Sequence, residues 1–221
     1  MTYYPPGDIE RICLQELRVV GLLPSKPGPV RIDRFIEKRF GITPDYRRLD
    51  PEILGETLFR AGRPVEVVIN SALFEEDYLP SERRLRSTLA HEAGHCVLHS
   101  SRDVGGGRQV GLFEVAGGDE GRQIRCREES VGVRGRGYSG KAEEWQANAA
   151  IGGFLLPESL VYEAIEPYAL RGSAAGVPTL NWNVVDEAAR TLADVFDVNP
   201  VVVGIRFEQI FGAARLGQGV L

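Results

Sequence analysis

Histidine is almost missing from this chain: three of 221 residues, all of them between positions 91 and 99. Cysteine is as sparse. Cys13, Cys96 and Cys126 are odd in number and far apart, so they offer no CxxC pair, and each is expected as a buried thiol in a reducing compartment. Basic residues do not exceed acidic ones (26 against 31, formal net charge −5), which argues against a direct electrostatic grip on nucleic acid. The Arg-Gly runs "DVGGGR" and "GVRGRGYSG" are short, lack interleaved aromatics beyond Tyr138, and read as loops or hairpins. No apolar run approaches the length of a membrane span, and Asp8 and Glu10 fall where a leader would be apolar. A soluble, cytoplasmic protein that makes no membrane contact is expected.

What is present reads as one domain over 1–221, with an N-terminal helical region (1–60), a core (61–170) and a C-terminal helical region (171–221). Ile9, Ile12, Cys13, Leu17 and Val20 recur at helical spacing, and Gly21 with Pro24 ends that helix. "RIDRFIEKRFGI" predicts a second helix stopped by Gly41. After a polar stretch, "RPVEVVINSAL" (63–73) is β-branched and predicts a strand. Residues 101–140 are the poorest in regular pattern. Helices are expected over 141–156, 157–170 and 183–196, with "NPVVVGIRF" opening a last element.

"SERRLRSTLAHEAGHCVLH" predicts a helix over 81–99, with Ser81 as its N-cap after Pro80. Leu85, Leu89, Ala93, Cys96 and Val97 form one stripe, and His91, His95 and His99 another. Histidines four apart on a helix converge over one turn, where both rings can hold a metal ion at about 2.0 to 2.1 Å. Glu92 is placed to take a proton from water activated there. This is the HExxH arrangement of zinc hydrolases. His99 lies about 12 Å along the axis from His91, too far to share the ion in the usual way. It reads as a buried hydrogen-bonded histidine, a helix-end cation, or a partner that orients a ligand.

A catalytic zinc needs a third protein ligand and an open position. In "KAEEWQANAAIGGFLLP", Glu144 shares a helical stripe with Ala147, Asn148, Ile151 and Leu155. Burying a carboxylate among such neighbours is costly unless it is paired or bound to a cation. Glu143, about 100° round the helix, reads as a solvated charge. Asn148, one turn beyond Glu144, is either a polar core residue or a hydrogen-bond partner of a ligand.

"RLRSTLAHEAGHCVLH", then "EWQANAAIGGFLLP", then "LADVFDVNPVVVGIRFEQIFG" together resemble the ImmA/IrrE family of zinc metallopeptidases, over about residues 60–215. The departures from that family's pattern (Ala150, Ile151, Phe154, Leu156 and Asn199) touch no ligand. The resemblance implies His91, His95 and Glu144 as zinc ligands and Glu92 as the catalytic acid and base. It further implies an α+β fold with a thermolysin-like core: a small antiparallel sheet over the zinc helix, the glutamate helix behind it, and a bundle of helices. In such a core the strand nearest the cleft receives substrate as an added strand, here "PVEVVINSAL". The expected substrate is a helix-turn-helix repressor or similar regulatory protein, and residues 101–140 would shape or close the cleft. Two other readings stand beside this one. A non-catalytic regulator could sequester a transcription factor or antitoxin-like partner, though that task needs no Glu92. A structural zinc site could be closed by Cys126, or by Cys96 on the core stripe.

Overall fold

In the computed structural model, which describes residues 4–74, 79–100, 122–127, 142–170 and 179–217, α1 (Pro6–Val19) buries Ile9, Cys13 and Leu17 along the stripe read from the sequence. α2 (Ile32–Phe40) buries Phe35 and Ile36 and stops at Gly41, whose φ of +71° suits glycine. The stretch expected to be merely polar then supplies two strands, β1 (Asp45–Arg47) and β2 (Ile53–Arg60). β2 forms a hairpin with β3 (Arg63–Asn70) through a two-residue turn, Ala61 and Gly62, both at positive φ.

β1, β3, β2 and β4 (Arg122–Arg127) lie side by side in that order. The sheet is mixed, not antiparallel as expected. The chain reverses after β1 but leaves one strand's width free, which β3 fills, so β1 and β3 run parallel. Asn70 fastens this arrangement. Its amide nitrogen donates to the carbonyls of Asp50 (3.2 Å) and Ile53 (2.7 Å), and its oxygen accepts from the Leu49 and Ala72 amides. The placement of β3 also corrects the substrate-strand expectation: β3 is paired on both sides, and among the described strands the edge beside the site belongs to β4.

α3 (Leu79–Leu98) begins two residues ahead of Ser81, which therefore sits within the first turn and not at the cap. Two faces were expected for this helix. In fact residues 87–98 are buried all round, with the sheet on one side and α4 (Ala142–Leu155) on another. The predicted helix over 157–170 breaks early: α5 covers Glu158–Ala164, and Pro167, with no amide hydrogen to continue the ladder, falls in a 3-10 turn leading to β5 (Ala169–Leu170). β5 pairs with β6 (Thr179–Leu180), and α6 (Val185–Phe196) and α7 (Pro200–Gly217) complete the described chain. The described residues thus form a mixed α+β structure of seven α-helices, a four-stranded sheet and a two-stranded one. No described helix is long and apolar enough to cross a membrane. The runs 103–108 and 132–140, expected as loops or hairpins, lie outside the described residues.

One cluster of buried side chains runs from Ile9 on α1 through Phe35, Phe154 and Phe196 to Phe211 on α7. A buried polar clasp closes it. Glu10 pairs with the Arg206 guanidinium and accepts from the Glu158 amide at the start of α5 (2.9 Å), while Arg206 Nε donates to the Leu156 carbonyl (3.0 Å).

Candidate metal centre

α3 and α4 can lie close because Gly94 has no side chain. A Cβ at that position would stand 2.9 Å from Ala150 Cβ and 3.1 Å from Ala147 Cα. The notch brings α4 against the histidine turn of α3 and carries Glu144 to it. Glu144 Oε2 lies 3.3 Å from His91 Nε2, Oε1 lies 3.4 Å from His95 Nε2, and the two Nε2 atoms are 2.9 Å apart. An ion held tetrahedrally at 2.0 to 2.1 Å sets its ligand atoms about 3.4 Å from one another, so three donors converge on a space of ion size.

Each ring is turned by its other nitrogen. His91 Nδ1 is 2.9 Å from Asn148 Oδ1, and His95 Nδ1 is 2.9 Å from His99 Nδ1. His91 Nδ1 donates to the Asn148 oxygen, and with a metal on its Nε2 His95 would carry its proton on Nδ1 and donate to His99. Asn148 and His99 therefore stand where residues that orient the ligands would stand. Glu143 is on the same helix as Glu144 but is absent from the clusters of metal-ligating groups.

The electrostatics describe a site that wants positive charge. Burial pushes His91 down as a base, but the neighbouring Cys126, Glu144 and Glu92 outweigh it and raise it well above the imidazole range. Burial dominates at His95 and lowers it to about 4. Burial would raise Glu144, but hydrogen bonds from both imidazoles bring it down to about 2. A proton shared among these groups does in part what a divalent cation would do more fully.

Glu92 sits behind His91, fully buried, and burial raises its carboxyl to about 7. The Thr57 hydroxyl on β2 donates to Oε2 at 2.6 Å, whereas Oε1 has no hydrogen-bond partner among the described residues. Gly55 makes room for it: a Cβ there would fall 2.7 Å from Oε1. Across the sheet, Gly55 is opposite Cys126 on β4, and the ligand atoms of His91, Glu92 and Cys126 lie within 4.8 Å of one another. His91 is thus shared by two clusters, one with His95 and Glu144, the other with Glu92 and Cys126.

No protein-family model matches this chain, and no curated protein matches it. The motif residues and their geometry carry the functional reading alone. Sequence reasoning named every donor of the His91–His95–Glu144 cluster and both of its ring-orienting partners. It missed Thr57 and Gly55, which lie on the unrecognised strand β2, and the spacing role of Gly94. A glycine between Leu54 and Glu56 is the signal that, had the strand been recognised, would have pointed to a close approach at Gly55.

Proposed function

We propose that this chain is a zinc-dependent endopeptidase of the ImmA/IrrE kind, with a thermolysin-like core, that cleaves a helix-turn-helix repressor or similar regulatory protein in the cytoplasm. The observation that carries this reading is the convergence of His91, His95 and Glu144 beside a buried carboxylate, Glu92, that is not itself one of the three. Two neutral nitrogens and one carboxylate are a donor set suited to zinc, and the buried Oε2 of Glu144, 3.3 Å from His91 Nε2, fits a cation's presence. Zinc, when bound there, supplies Lewis-acid polarisation of the scissile carbonyl and a more acidic attacking water.

The protein's own part is to hold and move a proton. Thr57 fixes one oxygen of Glu92, leaving Oε1 to accept the proton from the attacking water and to return it to the leaving amine nitrogen. Asn148 and His99 keep the two rings facing inward. The peptide would add as a strand to the outer edge of β4, which no described strand covers. Sequestration of a partner without cleavage is the alternative, and it gives Glu92 and its Thr57 bond no task. The test is incubation of the zinc-loaded protein with a helix-turn-helix protein encoded beside it, reading fragments by mass spectrometry and complex formation separately. Fragments with bound zinc support the peptidase; a tight complex without fragments supports the regulator.

A further inference from the structure

Of the second cluster at His91, the mechanism above uses His91 and Glu92 and leaves Cys126 without a part. Cys126 is fully buried, forms no disulfide, and points inward from β4 with Ile124, while Gln123 and Arg125 point outward. Its orientation is built into the sheet. The β2–β4 register slips between Ile53 and Gly55, a bulge immediately beside Cys126, and such bulges re-aim side chains next to functional sites. Opposite stands Gly55, whose missing side chain leaves the thiol and the Glu92 carboxylate in one space. Outside the sheet, Arg125 pairs with Glu56 at 3.4 Å and holds the strand in this register. Of the other two cysteines, Cys13 lies against the Ala150 carbonyl at 3.9 Å, and Cys96, in the apolar core, meets the Thr57 hydroxyl that also bonds Glu92.

A buried thiol alone is no site. Here it shares a cluster with an imidazole that faces Glu144 and with a carboxylate oxygen, Glu92 Oε1, that is fully buried and has no hydrogen-bond partner among the described residues. We infer that Cys126 is a resting ligand of the zinc held by His91, His95 and Glu144, so that the peptidase site is closed by its own edge strand until substrate engages it. This inference rests on the zinc reading given above and adds its regulation.

Seating the thiol breaks its S–H bond and forms a sulfur–zinc bond, and the proton passes to Glu92. Exchange of the thiolate for water reverses both transfers: sulfur regains its proton and Glu92 becomes a free base. The closed state therefore lacks both the open coordination position and the base. Because β4 is the edge strand among the described residues, a peptide pairing with its outer edge acts directly on the residue that closes the site.

The experiment replaces zinc with cobalt(II) in the full chain, after chelation, and records near-ultraviolet absorption together with cobalt content. A thiolate on cobalt gives an intense charge-transfer band that nitrogen and oxygen ligands do not. The expected result is one cobalt per chain with the band in wild type, loss of the band with cobalt retained in Cys126→Ser, and the band kept in Cys13→Ser/Cys96→Ser, where Cys126 is the sole cysteine. Should Cys126→Ser fail to fold, the double variant decides by itself. One cobalt per chain with no band in wild type overturns the inference and leaves the zinc reading standing, as does a band that survives Cys126→Ser. No cobalt uptake at all overturns the zinc reading, and this inference with it.

Discussion

The hydroxyl of Thr57 donates to Oε2 of Glu92 across 2.6 Å, linking the second strand to the histidine helix between two fully buried side chains. A glutamine at 92 can accept the same hydrogen bond through its carbonyl but cannot take a proton. Glu92→Gln is therefore expected to keep zinc, fold and partner binding while losing peptide cleavage by at least about 100-fold, the lower range for general acid–base catalysis. Equal cleavage by both proteins, followed by mass spectrometry, would remove Glu92 from the mechanism.

Glu144 and Glu143 are neighbours in sequence, and it is Glu144 whose carboxylate lies 3.3 Å from His91 Nε2 and 3.4 Å from His95 Nε2. Glu144→Ala removes one of three donors and is expected to leave the site empty at micromolar zinc, while Glu143→Ala keeps one zinc per chain. Elemental analysis after gel filtration separates them, and the reverse pattern would mean the wrong carboxylate has been assigned.

His99 meets the His91–His95–Glu144 cluster through His95. Its replacement by alanine is expected to weaken zinc binding by about 10 to 100-fold, the range for groups that orient a ligand. Asn148→Ala should behave alike through His91. Competition with a chromogenic chelator measures both, and complete loss of metal with an unchanged circular dichroism spectrum would make His99 a ligand in its own right.

His91 is held above its ordinary value of 6.5, and only the neutral ring binds zinc. Each binding event below the raised value must expel that proton, whereas Glu144, at about 2, is already ionised. Zinc affinity is thus expected to rise with pH from about 6.5 upward, by roughly tenfold per unit while His91 remains protonated, and then to level off. Calorimetry in two buffers of different ionisation enthalpy counts the released proton; a pH-independent affinity above about 6.5 contradicts the assignment.

Gly94→Ala gains about 1 kcal/mol of helix propensity but drives a methyl group into the backbone of α4. Overpacking costs about 1 to 3 kcal/mol, so net destabilisation is expected, with a weaker zinc site because the helices that share the donors are pushed apart. Chemical denaturation and zinc titration of the same variant check both effects. A more stable variant with unchanged affinity would show that the notch does not set the spacing.

The histidine helix and Glu144 were legible because each obeys a local rule: histidine spacing on one turn, and a carboxylate on an otherwise apolar stripe. β2 was not, and the site itself is the reason. Gly55 and Glu56 interrupt the alternation that announces a strand, and Gly55 is there because Glu92 occupies the space a side chain would fill. Ala61 stands at the first turn position where asparagine or glycine would have marked a hairpin. The direction of β1 depends on a partner strand that comes later in the chain, which no local pattern encodes. The burial of α3 on every side likewise follows from α4 arriving 44 residues after its end, at Ala142 against Leu98.

The Glu10–Arg206 clasp ties events at opposite ends of synthesis. While a nascent chain still lacks α7, Glu10 has no guanidinium to meet and the carbonyl of Leu156, at the end of the glutamate helix, has no donor from Arg206. An unpaired buried charge is strongly destabilising, and contacts this distant in sequence form late. Until Arg206 is in place the buried contact that fastens α1 to the end of α4 is unmade, so the helix that carries Glu144 gains this last support only once α7 has formed.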